Sequence, residues 1–188
     1  MRIVVLVALS ITLLCAALHS QDTEASDAAC AQQASGYDPK LLSASPPQLP
    51  PDLKKVELTY FEPGCEGECP VFWLTIREGK IHYKGKKFVK VRGSRHAGFS
   101  EEDFRKLLQL WNDGKFFAMH DDYCDFRCGN TEVTSLDPRE SSTTLALPVG
   151  KKTVRECSVD RPTSAHPPDA YFNLQGELRR IAKDHGWL

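Results

Sequence analysis

An excess of charge of either sign is the first thing this chain lacks. Its 188 residues carry 24 Lys and Arg against 25 Asp and Glu, a formal net charge of −1. Nucleic-acid-binding domains usually leave a strongly basic footprint, so nucleic acid is not expected as a partner. No acidic or basic tail is present. Catalytic signatures are missing as well. The sequence holds no G-x-S-x-G, H-E-x-x-H, P-loop, G-x-G-x-x-G or EF-hand loop. No N-x-S/T sequon occurs. Neither a cofactor nor a metal is expected, and no catalytic residue stands out.

Long apolar runs are also scarce, with one exception at the N-terminus. Arg2 supplies a positive charge, Ile3 to Leu18 is apolar apart from Ser10, Thr12 and Cys15, and polar Gln21-Asp22-Thr23-Glu24 follows. This is the charged, apolar and small-residue order of a secretory signal. Residues 1–20 are therefore expected to be a signal peptide cleaved after Ser20, and the mature protein to be periplasmic or secreted. The run is short for a span of ~20 residues. Were it retained, the domain would be membrane-tethered.

Export changes how the cysteines read. Of seven, Cys15 leaves with the signal, and Cys30, Cys65, Cys69, Cys124, Cys128 and Cys157 remain. An even set in an exported chain predicts disulfides. Cys65–Cys69 and Cys124–Cys128 share a C-x₃-C spacing, which leaves Cys30 and Cys157 as partners by elimination. The same spacing is permitted in a four-thiolate zinc site, but export favours bonds between the thiols.

Residues 21–52 are rich in Ala, Ser, Gln and Pro and end in Ser45-Pro-Pro-Gln-Leu-Pro-Pro51, with no helical or strand period. This predicts a disordered linker ahead of a single domain over residues 53–188. A domain of that length buries about two-thirds of its unfolded surface.

Within the domain, strands are expected over 56–61, 71–76, 80–84 and 88–92 from their β-branched, aromatic and alternating residues. Ser100 then starts a helix, with Glu101, Glu102 and Asp103 in its first turn. Phe104, Leu107, Leu108 and Trp111 form its core stripe. A lone strand at 131–134, a hairpin over 142–157 and a helix opened by Pro167-Pro168 follow. Tyr171, Leu174, Leu178 and Ile181 should line the last helix, with Glu177, Arg179, Arg180 and Lys183 facing water. The order suggests two strand–hairpin–helix halves. The expected architecture is α+β, an antiparallel sheet with two helices on one face.

Three clusters are candidates for chemistry. Cys65 and Cys69 lie in the glycine-containing loop before Pro70, as a staple or a redox pair. Glu66 and Glu68 would raise a thiol pKa there and disfavour redox work. His120, Asp121 and Asp122 could ligate a metal or exchange protons. Residues 77–95 hold Arg77, Lys80, Lys84, Lys86, Lys87, Lys90, Arg92 and Arg95 against the single acid Glu78. That patch could meet an anionic envelope surface or a protein partner, although alternating lysines also describe a solvated strand face.

The segment Cys65–Gly85 resembles a family of bacterial exported proteins, the domain of unknown function 6438. The matching residues are Cys65, Gly67, Cys69 and Pro70, then Gly79, Tyr83 and Gly85, and the acidic helix start Glu101-Glu102. Phe72 and Glu132 stand where that family tends to have Tyr and Asp, and Cys124 and Cys128 look like additions. The resemblance implies an envelope or secreted protein. It implies no activity. A non-enzymatic binding role is the leading expectation, with thiol redox or other small-enzyme chemistry as the alternative.

Overall fold

The computed structural model describes residues 36–65, 67–128, 131–134, 140–157 and 166–188, with backbone alone for 125–128 and 131–134. Eight strands are assigned among them. β1 (Glu57–Glu62), β2 (Val71–Arg77), β3 (Lys80–Lys87), β4 (Gly93–Gly98), β7 (Glu140–Leu147) and β8 (Gly150–Cys157) build one antiparallel sheet in the order β4-β3-β2-β1-β7-β8. β5 (Asp125–Cys128) and β6 (Thr131–Thr134) pair only with each other. The helices are α1 (Pro39–Leu42), α2 (Glu101–Asp113) and α3 (Asp169–Asp184). The fold is α+β.

Alternation sets the sheet's buried side. Leu58, Tyr60, Phe72, Leu74, Ile76, Ile81, Tyr83, Leu145 and Val154 are buried, and they form one cluster with Phe104, Leu107, Leu108 and Trp111 of α2 and Tyr171, Leu174 and Leu178 of α3. Both helical stripes therefore reach the core as their periodicity predicts. Ser100 caps α2 by accepting the Asp103 N–H at 3.0 Å, which satisfies one of the helix's orphan donors.

Three expectations need correction. The fourth strand runs over 93–98, not 88–92. Val89 and Val91 pack against the core instead of joining a ladder, and their loop folds back over Gly85. A Cβ at Gly85 would sit 2.2 Å from the Val91 carbonyl oxygen, so this approach requires glycine. Thr131–Thr134 lies outside the main sheet, so no lone strand of a second half pairs there. Arg179, expected to face water, is only partly exposed; its Nε donates to Glu62 Oε2 at 2.5 Å.

Residues 36–50 follow the domain closely. Asp38 N–H donates to the Ala118 carbonyl at 2.7 Å, Tyr37 OH to the Gly114 carbonyl at 3.3 Å, and Tyr123 OH to the Gly36 carbonyl. Tyr37 and Leu49 pack against the core. At the other end of the chain, Trp187 stacks on Tyr83 with centroids 4.9 Å apart, and its carbonyl accepts the Val91 N–H at 3.1 Å. The C-terminus thus pins the β3–β4 loop.

Candidate binding surface

The face of the sheet opposite the buried side chains carries two rows across the strands. Phe61, Trp73, Lys84 and Ser94 are successive register partners in β1, β2, β3 and β4. Thr59, Thr75, His82 and His96 form the next row. Phe61 and Trp73 stack with centroids 4.6 Å apart, and Lys84 Nζ lies 5.9 Å from the Trp73 ring centroid, within cation–π range. His82 and His96 meet with centroids 5.9 Å apart. Sequence alternation alone placed Ile81 and Tyr83 on one side; the cross-strand rows come from register.

Phe61 also borders a cavity of about 290 Å³ at the end of the same strands. Cys65, Cys69, Lys86, Lys87 and Phe88 share that cavity. The structure thus brings together the cysteine loop and the basic hairpin, two clusters the sequence left separate. Cys65 and Cys69 are bonded, Cα to Cα 5.3 Å, which closes the loop on itself beside the hairpin. Phe88 stands at the turn of the β3–β4 hairpin with φ 51°, and half of its surface (50%) is exposed. Val149, Leu110 and Phe172 are exposed apolar side chains as well; Phe88 differs from them in its setting, beside Lys86 and Lys87 on the rim of a cavity.

Most cations of the basic hairpin lack a carboxylate partner among the described residues. Arg77 pairs with Glu57 at 3.5 Å, and Arg95 donates to the Ser94 carbonyl. Lys80, Lys84, Lys86, Lys87, Lys90 and Arg92 have no carboxylate partner among the described residues. The helices differ. Arg105 pairs with Glu101, Lys106 with Glu102, and Arg180 with Glu177 and Asp184. Six cations without a carboxylate partner among the described residues thus lie within one stretch, residues 80–92.

A second polar cluster lies where β1, β7, β8 and α3 meet. Glu62 accepts from Arg179 and from Tyr60 OH. Ser141 Oγ donates to Glu156 Oε2 at 2.9 Å and accepts from Gln175 Nε2 at 3.0 Å. Burial, with Glu62 nearby, pushes the Glu156 carboxyl above its ordinary range, against the Ser141 bond. Burial likewise pushes the Tyr171 phenol up to about 12. Every described polar group here has a partner, and the cluster reads as a structural keystone between helix and sheet.

The His120 cluster is drawn into structure. Asp121 and Asp122 pair with Lys152 and Arg155 of β8, and Tyr123 N–H donates to the Arg155 carbonyl at 2.9 Å. This segment therefore covers the β8 edge. His120 Nε2 and Trp111 Nε1 are buried without a hydrogen-bond partner among the described residues. No three described His, Cys, Asp or Glu side chains gather to hold a metal. The cysteine pairing by elimination is corrected: Cys157 bonds Cys124 across 33 residues, not Cys30, and so Cys124 does not bond Cys128. Adjacent C-x₃-C spacing did not decide it because β8 carries Cys157 back beside the 121–124 segment, through the Asp122–Arg155 bridge. Cys30 lies outside the described residues.

The profile of one protein family matches residues 56–181. The chain belongs to DUF6438, a domain of unknown function. A search of curated proteins finds no match. The DUF6438 match spans every strand of the main sheet, α2 and most of α3. The two disulfides among the described residues point to an oxidising, extracellular-type environment. Among the described residues no helix is long and apolar enough to cross a membrane.

Proposed function

We propose that this DUF6438 chain is exported by a cleaved signal over residues 1–20, and that its folded domain, residues 53–188, docks on an anionic membrane surface through the β3–β4 hairpin. The binding is non-enzymatic. Both long helices cover the sheet's buried face, leaving the face of Phe61, Trp73 and Lys84 for the envelope. The observation that carries this reading is Phe88, half exposed at a hairpin turn and flanked by Lys86, Lys87, Lys90 and Arg92, which have no acidic partner among the described residues. An apolar ring enters the headgroup boundary, and the surrounding cations meet lipid phosphates.

The test is vesicle co-sedimentation of the mature protein. Phosphatidylglycerol-containing vesicles should retain it at low salt, phosphatidylcholine vesicles should not, and Phe88→Ser should weaken retention without lowering Tm. Equal retention on both vesicle types, or on neither, would sink the reading.

A second reading, thiol exchange at Cys65–Cys69, is favoured by the two lysines in the same cavity. Nearby cations stabilise a thiolate. Rapid alkylation of Cys65 at pH 6 after mild reduction would promote it. Slow alkylation, with stability alone lost in a Cys65→Ala/Cys69→Ala variant, would leave the disulfide as a staple.

A further inference from the structure

The six-stranded sheet has two edges, and the chain treats them differently. The β8 edge is covered. The Arg155 N–H donates to the Asp121 carbonyl and the Tyr123 N–H to the Arg155 carbonyl, both at 2.9 Å, so residues 121–123 run beside β8 in parallel. Among the described residues nothing covers β4, which pairs with β3 alone. The phase of that ladder tells which β4 groups point away from it. The Phe99 N–H donates to the Gly79 carbonyl at 2.9 Å, which makes Gly79 and Phe99 a hydrogen-bonded pair. Such pairs alternate with non-bonded ones in an antiparallel ladder. In the register of β3 and β4, Gly93, Arg95 and Ala97 therefore turn their N–H and C=O towards β3, and Ser94, His96 and Gly98 turn theirs off the sheet. Arg95 agrees with this phase: its Nη1 donates to the Ser94 carbonyl at 2.8 Å, an oxygen the ladder leaves free.

Native sheets protect an open edge with Pro, Lys, a bulge or a covering segment. Gly93–Gly98 reads Gly-Ser-Arg-His-Ala-Gly, with neither Pro nor Lys, and all of it but Ala97 is exposed. Its register with β3 runs without a bulge. Apart from the Ser94 carbonyl, the outward backbone groups of Ser94, His96 and Gly98 have no partner among the described residues. An extended backbone offers the matching C=O and N–H groups at the same repeat, whereas a lipid phosphate offers acceptors alone. Charge decides whose backbone it is. From Lys80 to Phe99 the sequence holds seven Lys and Arg and no Asp or Glu. A second copy of β4 laid antiparallel on the first would bring these cations towards their own copies, like charge against like. An extended segment rich in Asp or Glu instead meets Arg95 at the edge and Lys80 and Lys84 one strand behind it.

We propose that β4 is a strand-addition site, at which an extended acidic segment of another protein pairs with the outward groups of Ser94, His96 and Gly98 and continues the sheet beyond β4. The site runs along the strand and does not use the Phe88 turn, so it stands or falls apart from membrane docking.

The test uses the mature protein and two blocked eight-residue peptides, one alternating valine with glutamate and one alternating valine with lysine. In fluorescence anisotropy the glutamate peptide should bind at least about tenfold more tightly, the scale of one charge-assisted contact. On binding it, the amides of Ser94, His96 and Gly98 should exchange more slowly with deuterium. His96→Pro removes an outward N–H and leaves the ladder to β3 intact, and an edge strand tolerates Pro there. It should weaken peptide binding about tenfold or more, and His96→Ala, which keeps the N–H, should not. Vesicle retention should survive His96→Pro, and peptide binding should survive Phe88→Ser. Equal binding of the two peptides, binding of neither, equal affinities of His96→Pro and His96→Ala, or unchanged exchange at all three amides would overturn the proposal. So would a dimer of the free protein that His96→Pro disperses, which would give the edge to a second copy. Should His96→Pro fail to fold, the exchange of the three amides in the natural protein decides the matter alone.

Discussion

Arg179 of α3 reaches Glu62 at the end of β1 with an Nε–Oε2 distance of 2.5 Å, joining positions 117 residues apart. The carboxylate side chain is 11% exposed and the guanidinium 41%. Water therefore screens one partner but hardly the other. The pair ties the last helix to the strand that leads into the Cys65–Cys69 loop.

Removing Arg179 should be costly because it strands Glu62. Breaking a fully buried pair costs ~3–5 kcal/mol, and the exposed side of Arg179 reduces that here. Arg179→Met should lose about 1–3 kcal/mol in urea denaturation, and adding Glu62→Gln should recover part of it. A loss below a few tenths of a kcal/mol would show that the contact contributes little.

The two disulfides should differ in weight. A loop of about 33 residues closed by Cys124–Cys157 predicts ~3–4 kcal/mol from chain entropy, against ~2 kcal/mol for the short Cys65–Cys69 loop. Cys124→Ala/Cys157→Ala should therefore lower Tm more than Cys65→Ala/Cys69→Ala. Peptide mapping should recover both bonds in exported protein. If intact mass shows six oxidised cysteines, Cys30 and Cys128 are the remaining pair.

Stability should carry a pH signature from Glu156. Burial raises its folded pKa above the unfolded value. The stabilising contribution is then fully present below the ordinary carboxylate pKa and is lost as pH rises through the raised one. Relative to Glu156→Gln, the natural protein should lose stability on going from acid towards neutral pH. Parallel unfolding curves of the two proteins across that interval would contradict this.

On the proposed membrane surface, the hairpin cations should act additively. Each Lys near an anionic leaflet is worth ~1 kcal/mol. Lys86→Ala/Lys87→Ala should weaken vesicle binding about 30-fold, and added salt should weaken the natural protein similarly. Substituting Lys106, which is paired on α2, should change little.

Much of the frame was legible in the sequence. Period-3.6 stripes placed Phe104, Leu107, Leu108 and Trp111, and Tyr171, Leu174 and Leu178, in the core, because helix geometry makes burial a local property. Alternation located β1, β2 and the β7–β8 hairpin for the same reason. Glu78-Gly79, with φ of 51° and 71°, closes β2–β3 in the way hairpin twist requires. Strand four was misplaced because Val89 and Val91 have β propensity, and propensity does not distinguish a ladder from a loop packed on the core.

What only the tertiary structure decided involves partners far apart in the chain. Phe61 beside Trp73 depends on register, Cys124 with Cys157 on where β8 returns, and Glu62 with Arg179 on how α3 lies against the sheet. Composition determined that the chain is near neutral, and the cysteine count led to an expectation of disulfides, of which Cys65–Cys69 was read from its spacing. It took the fold to set Phe88, Lys86 and Lys87 beside the Cys65–Cys69 loop. Local patterns encode which residues are buried; they do not encode which buried or charged residues meet, because each such meeting is set by the whole chain's closure.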